Sequence, residues 1–295
     1  MLRVSDEVRE ALDAGRAVVA LETTIVAHGF PPGEGIEVGR ECEAGVRAAG
    51  AVPATTAVLD GELRVGLNAD ELERVAAAGP EARKVGPRDI GPAIVQGSIG
   101  ATTVGGTLVA CRQAGIAAMA TGGIGGVHRG WAQRPDVSAD LAALAETPAF
   151  IVCSGVKSLL DVTATAEVLE TLGIPVLGWR TDELPLFYAA RGGQPVSAKV
   201  ENADEAAAIV RAHRAVSGTG VLLARPPVDG LDDVEPLIEQ ALGEAAVQGV
   251  SGQAVTPFVL AFLHERSGGR TLAVNRRLAA DNAALAGEVA VALNG

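Results

Sequence analysis

Short apolar runs that alternate with longer helical segments are the feature that most constrains the fold of this 295-residue chain. Runs rich in Val, Leu, Ile and Ala occur at 17–21, 117–120, 149–153, 175–179 and 220–224. Strands that are apolar on both faces are typical of a parallel sheet covered by helices on both sides. The alternation therefore predicts an α/β fold built around a largely parallel sheet.

Local signals predict further elements and make the sheet mixed. Asp60-Gly61 joins short runs at 56–59 and 62–65, which is the pattern of a β-hairpin. Asn68 followed by Glu71 predicts a capping box and a helix that reaches residue 78. Other helices are predicted after Ser5 and at 35–49, 159–172, 233–248, 256–265 and 275–292. Because no linker, repeat or low-complexity tract divides the chain, we predict one domain over residues 1–295.

Composition and charge exclude several classes of function. The formal net charge is −12 and the chain has only two Trp, one Tyr and five Phe, so no nucleic-acid polymer is expected as a partner. Three scattered cysteines, Cys42, Cys111 and Cys153, predict buried thiols in a reducing compartment rather than a disulfide framework. The uncharged stretch 90–111 contains Pro92 and five glycines, which predicts buried turns and a packed helix. We therefore expect a cytoplasmic protein that does not enter a membrane.

Lysine is scarce in this chain. Of the 24 basic residues, 21 are arginines and three are lysines, namely Lys84, Lys157 and Lys199. Arginine keeps its proton near neutral pH, whereas a lysine in apolar surroundings can lose it and act as a nucleophile. Lys157 lies in such a segment, and it is either a nucleophile or a partly buried ammonium that reaches water or an acid. Lys84 precedes Gly86-Pro-Arg-Asp89, which predicts either a phosphate site or a surface loop with a local Arg–Asp pair. Lys199 lies in no motif and is expected to be a surface charge.

Two further polar features follow predicted strands, where open α/β sheets place their ligands. Glu22 directly follows the run at 17–21, so it can serve as a desolvated general acid or cap the next loop. Thr121-Gly-Gly-Ile-Gly-Gly126 allows the backbone to approach a ligand closely, although its spacing is not that of a dinucleotide-binding fingerprint. His128, just beyond it, either orients a substrate or has a structural role.

Asp136-Val-Ser-Ala-Asp140 offers oxygen ligands at alternate positions, as the start of an EF-hand loop does. Leu141 and Thr147 stand where that loop requires a glycine and a glutamate, so an EF-hand is excluded. The remaining metal interpretation is one carboxylate that holds a largely hydrated Mg²⁺ or Mn²⁺. The alternative is a helix with Ser138 as its N-cap and Asp140 in its first turn.

Six motifs, taken in order, resemble those of the pseudouridine-5′-phosphate glycosidase family, which includes indigoidine synthase A-like proteins. Each motif alone is weak, but the set is specific, and the similarity runs from about residue 5 to the C-terminus without large gaps. The resemblance implies a three-layer α/β/α domain and a homotrimer. The motifs are Ala20-Leu-Glu-Thr-Thr24, Gly50-Ala-Val-Pro-Ala-Thr55, Ala120-Thr-Gly-Gly-Ile-Gly-Gly-Val-His-Arg-Gly130, Asp136-Val-Ser-Ala-Asp140, Gly155-Val-Lys-Ser-Leu-Leu-Asp161 and Val250-Ser-Gly-Gln-Ala-Val-Thr-Pro-Phe258.

The resemblance also implies an activity and a set of site residues. The family cleaves the C–C glycosidic bond of pseudouridine 5′-phosphate, reversibly and with Mn²⁺, to give ribose 5-phosphate and uracil. By motif, Lys157 is implied to be the nucleophile that binds a ring-opened ribose, Glu22 the proton donor, and Asp136 the ligand of one Mn²⁺ per subunit. Substrate contacts are implied for Lys84, Val104, Thr121, His128, Ser138, Ala139 and Asp140.

Several positions depart from the pattern of the family. Gly86-Pro87 stands where a serine is usual, and Arg225 stands where an asparagine is usual, whereas Glu22 and Lys157 are unaffected. The departures bear on recognition of the phosphate. Two alternatives follow: an enzyme that uses the same lysine to form a Schiff base with another sugar phosphate, and a non-catalytic accessory protein that binds a sugar phosphate.

Overall fold

The computed structural model describes residues 1–133, 135–157, 159–231, 233–250 and 252–295. Within them the strands are β1 (Leu2–Val4), β2 (Val18–Leu21), β3 (Val52–Leu59), β4 (Glu62–Val65), β5 (Arg83–Val85), β6 (Gly100–Thr102), β7 (Ala118–Ala120), β8 (Val127–His128), β9 (Phe150–Cys153), β10 (Leu160–Asp161), β11 (Val176–Trp179), β12 (Ala198–Val200) and β13 (Val221–Ala224). The α-helices are α1 (Asp6–Asp13), α2 (Thr24–His28), α3 (Gly35–Ala48), α4 (Ala69–Ala78), α5 (Ile90–Val95), α6 (Val104–Ala114), α7 (Ala139–Glu146), α8 (Val162–Thr171), α9 (Ala203–Val216), α10 (Glu235–Val247), α11 (Val255–Arg266) and α12 (Arg270–Asn294).

The main sheet is mixed and mostly parallel. Its strand order is β1-β4-β3-β2-β7-β9-β13-β11-β12, with β6 also paired to β3 and β5 paired to β6. Every neighbouring pair from β3 through β2, β7, β9, β13 and β11 to β12 is parallel. The antiparallel pairs in this sheet join β3 to β4 and β3 to β6. Strands β8 and β10 form a separate antiparallel pair.

Helices cover both faces of the main sheet. The crossover from β2 to β3 contains α3 and moves toward one edge, whereas the crossover from β7 to β9 contains α7 and moves toward the other. Because such crossovers between parallel strands are right-handed, α3 and α7 lie on opposite faces. Helix α12 packs against α3 and α9 and contacts β2, β7 and β9, whereas α6 packs against α7. The result is a three-layer α/β/α arrangement with β2, β7, β9 and β13 fully buried at its centre.

The predicted fold class and most of the predicted elements are confirmed. The hairpin pairs β3 with β4, and Asn68 and Glu71 form the capping box that begins α4. The helix predicted at 159–172 begins only at Val162, because Leu160–Asp161 pairs with β8 and the Asp161 side chain caps the helix. Helix α9 and the short strands β1, β5, β6 and β12 have no counterpart among the predicted elements. The strands are only three residues long, too short to show an apolar period, whereas α9 has a readable N-cap, Asn202 with Glu205 three residues later, that the prediction missed.

The buried thiols predicted from the cysteines, and the turns and packed helix predicted from the uncharged stretch, are confirmed. Cys42, Cys111 and Cys153 are buried free thiols, and burial raises the pKa of each to about 12. The stretch 90–111 forms α5, β6 and most of α6, with turns between them. Across the described ranges, no helix is both long enough and apolar enough to cross a membrane. The assignment of the chain to one domain stays a prediction.

Candidate active site

The polar residues singled out in the sequence meet at the carboxyl edge of the central strands. Glu22 follows β2, Thr121 follows β7 and the segment that contains Lys157 follows β9, and these strands are adjacent and parallel. Their carboxyl ends therefore lie together, as is general in open α/β sheets. A cavity of about 460 Å³ lies there, a volume typical of small-molecule sites. Nine of the residues predicted from the sequence line it: Glu22, Lys84, Thr121, His128, Asp136, Ser138, Ala139, Asp140 and Lys157.

Glu22 is buried, and two threonine hydroxyls hold its carboxylate in one orientation. Thr24, at the start of α2, donates to Oε2, and Thr121, at the end of the neighbouring strand, donates to Oε1. Asn282 of α12 fixes that strand end in turn, because its side-chain amide donates to the carbonyl oxygen of Thr121 at 2.9 Å. An acid held in this way at the wall of a cavity can deliver a proton to one chosen atom of a substrate.

Four buried threonine hydroxyls support the strand end that carries Glu22. Oγ1 of Thr56 lies 2.8 Å from Oγ1 of Thr102 and 3.0 Å from Oγ1 of Thr107. Oγ1 of Thr23 donates to the carbonyl oxygen of Thr56 at 2.7 Å. The four side chains are fully buried and satisfy one another, so β2, β3, β6 and α6 are fixed relative to each other next to the acid.

Lys157 and Lys84 both line the cavity although they are distant in sequence. The backbone N–H of Lys157 donates to the carbonyl oxygen of Ile124 at 3.2 Å. This hydrogen bond pairs the segment of Lys157 with the glycine-rich segment. Gly155, two residues earlier, has a φ of +84°, and a Cβ there would lie 1.9 Å from the carbonyl oxygen of Pro185, so only glycine fits. Burial lowers the pKa of Lys84, and the positive charge of Lys157 lowers it further. Two lysine side chains on the wall of one cavity favour an anionic ligand.

The third lysine is unlike the other two. Lys199 is exposed on β12, and its Nζ lies 2.8 Å from a carboxylate oxygen of Glu201. The expectation of a surface charge is confirmed.

Asp140 joins the glycine-rich segment to the start of α6. Its Oδ1 accepts the N–H of Gly105 at 2.8 Å, and its Oδ2 accepts the N–H of Gly125 at 2.9 Å. Ser138 accepts the N–H of Asp140 at 3.2 Å, so the predicted N-cap of α7 is confirmed. A Cβ at Gly125 would lie 2.3 Å from Oγ of Ser138 and 2.8 Å from Oδ2 of Asp140. Gly125 is therefore required by close packing within the chain, in addition to any approach of a ligand.

Asp136 and His128 lie together on the cavity wall. Oδ2 of Asp136 is 3.9 Å from Nδ1 of His128, and the Asp136 side chain is 39% exposed. Burial lowers the pKa of His128, the carboxylate of Asp136 opposes that change, and Lys84 adds to it. In the part of the chain that the structure describes, no group of three or more His, Cys, Asp or Glu side chains is placed to hold a metal ion. This wall therefore has one exposed carboxylate, that of Asp136, for a divalent cation, and not a closed set of ligands.

The structure adds wall residues that had little signal in the sequence, and it leaves one predicted residue outside the cavity. Asn275 and His28 contribute buried polar atoms, Oδ1 and Nε2, that have no hydrogen-bond partner within the described ranges. Phe187 also lines the cavity, with a φ of +64° and its ring packed against Gly123. Val104, the first residue of α6, is buried and does not line the cavity. Only Asn275 had a readable signal, as a polar residue one turn before the apolar Leu278 and Ala279 of the same helix.

Comparison with known proteins agrees with this geometry. The family described as indigoidine synthase A like protein matches residues 7–292. A pseudouridine-5′-phosphate glycosidase of Streptomyces griseus subsp. griseus is 49% identical over 98% of this chain and 91% of its own length. Another pseudouridine-5′-phosphate glycosidase, from Sorangium cellulosum, is 46% identical over 99% of this chain and 94% of its own length.

Two solved structures have the same fold. The prealnumycin C-glycosynthase AlnA in complex with ribulose 5-phosphate has a TM-score of 0.91 and 40% identity, with coverage of 100% of this chain and 97% of the other. An indigoidine synthase A-like protein from Thermotoga maritima has a TM-score of 0.90 and 38% identity, with the same coverage. The chain therefore belongs to the indigoidine synthase A-like family, the family of the pseudouridine-5′-phosphate glycosidases that it resembles.

Proposed function

We propose that this protein is an enzyme that cleaves the C–C glycosidic bond of pseudouridine 5′-phosphate, reversibly, to give ribose 5-phosphate and uracil. The observation that carries the proposal is that Glu22, Lys84 and Lys157 line one cavity. They supply a proton donor, a cation for a phosphate and an amine nucleophile, which are the groups that this reaction needs. Relatives named for this activity at 46–49% identity support it, as does a C-glycosynthase of the same fold that was solved with a sugar phosphate.

The bond to be broken explains why a lysine serves in place of the carboxylate pair of most glycosidases. The departing atom is C5 of uracil, a carbon, and it leaves poorly through an oxocarbenium-like state. Glu22 protonates the ring oxygen O4′ as the C1′–O4′ bond opens, and the deprotonated amine of Lys157 forms a bond to C1′. The nitrogen then loses a proton, and its lone pair expels uracil as C5 takes up a proton and the C1′–C5 bond breaks. Water hydrolyses the resulting iminium and frees ribose 5-phosphate and Lys157.

The phosphate is proposed to bind near Lys84. Burial lowers the pKa of this lysine, and a dianionic phosphate restores the preference for its charged form. The contact implied for Val104 has to come from the backbone at the first turn of α6, because its side chain does not line the cavity. Thr121, His128 and the segment 138–140 complete the substrate wall in this proposal.

A Mn²⁺ ion is proposed to bind at Asp136. A single carboxylate that is 39% exposed beside the cavity fits an ion that keeps most of its water shell. When bound there, the ion supplies positive charge that stabilises negative charge developing on the uracil.

A homotrimer and a cytoplasmic location are also proposed. The family resemblance supports the trimer, and the three buried free thiols support a reducing compartment. Light scattering on the purified protein tests the trimer, and a monomeric mass would contradict it.

The first experiment measures free uracil after incubation of the protein with pseudouridine 5′-phosphate, with and without Mn²⁺. We expect release by the wild type and a loss of about 10³-fold or more in Lys157→Ala. Lys199→Ala is the matched control, because Lys199 is an exposed lysine paired with Glu201, and it should retain wild-type turnover. No uracil from the wild type with Mn²⁺ present would contradict the proposed function.

The second experiment tests the covalent step. Borohydride added with ribose 5-phosphate should attach the reduced sugar phosphate to Lys157, detected by peptide mass spectrometry, and Lys157→Arg should abolish the adduct. An adduct without formation of a C-nucleoside from ribose 5-phosphate and uracil would indicate Schiff-base chemistry on another sugar phosphate. Equal ligand affinity in the wild type and Lys157→Ala, with turnover in neither, would indicate a non-catalytic sugar-phosphate-binding protein.

A further inference from the structure

A small chamber adjoins Glu22 and is distinct from the large cavity. Its volume is about 20 Å³, and its lining is mostly apolar, with Glu22, Thr55 and Thr121 as its polar residues. Glu22 and Thr121 line both spaces, whereas the buried Thr55 of β3 and Cys42 of α3 line the chamber alone, so the chamber lies on the side of the acid toward β3 and α3, its inner side. One water molecule needs about 10–15 Å³ and at least two polar partners. The carboxylate of Glu22 already accepts one hydroxyl on each oxygen and can accept a further donor.

Thr55 connects this chamber to a second carboxyl group, that of Glu43. Strand β3 is the parallel neighbour of β2, so Thr55 lies beside the strand end that carries Glu22. Its buried Oγ1 donates to Oε1 of Glu43 on α3, and Glu43 is only half-buried, so it also reaches solvent. Cys42, the neighbour of Glu43 in α3, lines the chamber together with Glu22 and Thr55. Burial raises the pKa of its thiol, and the carboxylates of Glu41, Glu43 and Glu22 raise it further.

We propose that one water molecule occupies the chamber, and that Glu43, Thr55 and this water form a proton relay that recharges Glu22 from the inner side. The inference rests on the proposed role of Glu22 as the proton donor. When Glu22 has given its proton to O4′, the water donates to Glu22, Thr55 donates to the water, and Glu43 donates to Thr55. Glu43 then takes a proton from solvent, and no electrons are exchanged.

The proton balance of the proposed reaction gives this relay a use. Two protons add to the substrate as its bonds break, one at O4′ and one at C5 of uracil, while the nitrogen of Lys157 releases two on its way from ammonium to iminium. The mouth of the cavity is then filled by substrate. A second proton route lets Glu22 regain its proton while the substrate fills the mouth. Because Lys157 releases as many protons as the substrate takes up, the overall reaction takes up no net proton.

The environment of Glu43 favours a proton reservoir. Burial raises the pKa of Glu43, and the hydrogen bond from Thr55 opposes the rise. The charged groups that face Glu43 are Arg40 and Arg47 of α3, which lower its pKa, and Glu7 of α1, which raises it. Glu22 lies on the far side of the chamber. With burial as the largest effect, the protonated form of Glu43 persists to a higher pH than that of an exposed glutamate.

The test uses isosteric changes in the full-length protein, with pseudouridine 5′-phosphate as the substrate. Thr55→Val removes the hydroxyl but keeps the shape, and Glu43→Gln removes the titrating group. Each should lower kcat by about tenfold or more, with KM and the melting temperature close to those of the wild type. Thr55→Ser, which restores a hydroxyl, should return to within about twofold of the wild type. Glu41→Gln is the control on the same helix, because Glu41 pairs with Arg276 at the surface.

Two readouts separate a relay from a structural role. The kcat of the wild type should fall as pH rises through the raised pKa of Glu43, and Glu43→Gln should lack that fall. The solvent deuterium isotope effect on kcat should differ between Thr55→Val and Thr55→Ser. Equal kcat in these two variants, or a crystal structure without a water between Glu22 and Thr55, would overturn the relay and leave the proposed function intact. Failure of the wild type to release uracil would instead overturn the function, and the relay with it.

Discussion

Asp140 offers a direct test of how the site is held together. Its carboxylate accepts the N–H of Gly105 at 2.8 Å and that of Gly125 at 2.9 Å, and only about 6% of the residue is exposed. In Asp140→Asn one of these N–H groups keeps an oxygen acceptor, and the other faces the amide NH₂, which cannot accept. A hydrogen bond to a charged acceptor contributes about 1.5–3 kcal/mol, and an unpaired buried donor adds a similar penalty. We therefore expect a loss of about 3 kcal/mol in the free energy of unfolding.

The loss can be read as a shift in melting temperature. An unfolding entropy of about 2.1 cal/mol/K per residue gives about 0.6 kcal/mol/K for a chain of this length, so 3 kcal/mol corresponds to a decrease of about 5 °C. Calorimetry of Asp140→Asn at a fixed protein concentration measures it. Asp136→Asn is the control, since the side chain of the half-exposed Asp136 lies 3.9 Å from His128 and the backbone hydrogen bond from His128 to Asp136 is kept, so the melting temperature should change by less than about 1 °C. Equal melting temperatures for the Asp140→Asn variant and the wild type would refute the structural role of Asp140.

Two further predictions concern other parts of the site. Because burial lowers the pKa of Lys84, its charge is lost at a lower pH than that of an exposed lysine, so KM for the phosphorylated substrate should rise with pH in that range. Lys84→Arg, which stays charged, should flatten that rise, and a profile identical to that of the wild type would contradict a phosphate contact. Gly125→Ala should lower kcat/KM by about 10²-fold, because the new methyl group would displace Ser138 and Asp140. Gly91→Ala, which meets no atom within 4 Å, should leave kcat/KM unchanged, and equal activity in both variants would contradict the packing argument.

The sequence predicts the framework of the fold well and the lining of the site less completely. Strands such as Phe150–Cys153 are readable because they are apolar on both faces, and the capping box of Asn68 and Glu71 is readable because it depends on four consecutive residues. Contacts between distant segments leave no such local pattern. The hydroxyl of Thr121 on Glu22 and the carboxylate of Asp140 on Gly105 depend on strand order and helix packing.

A glycine and an aromatic residue at the site show the same limit of prediction from the sequence. The glycine-rich segment was predicted to admit a ligand, and the structure shows that Gly125 also meets Ser138 at a distance that excludes any side chain. Phe187 was not predicted at all, because a left-handed φ at a phenylalanine is set by the surrounding fold rather than by the residue itself. The roles of Glu22 and Lys157 stay predictions from the family resemblance that the proposed experiments can decide.

The strand order has a consequence for the rate at which the site forms. Strand β7 lies between β2 and β9, yet β3 to β6 separate it from β2 in the chain, so the pairing that brings Thr121 to Glu22 is highly non-local. Such pairings form slowly, because the intervening loop must close before any contact compensates its entropy. Helices such as α9 and the β3–β4 hairpin depend mainly on local contacts and can form earlier. During refolding from denaturant, far-ultraviolet circular dichroism should therefore recover before the cavity does, and catalytic activity reports on the last contacts to form.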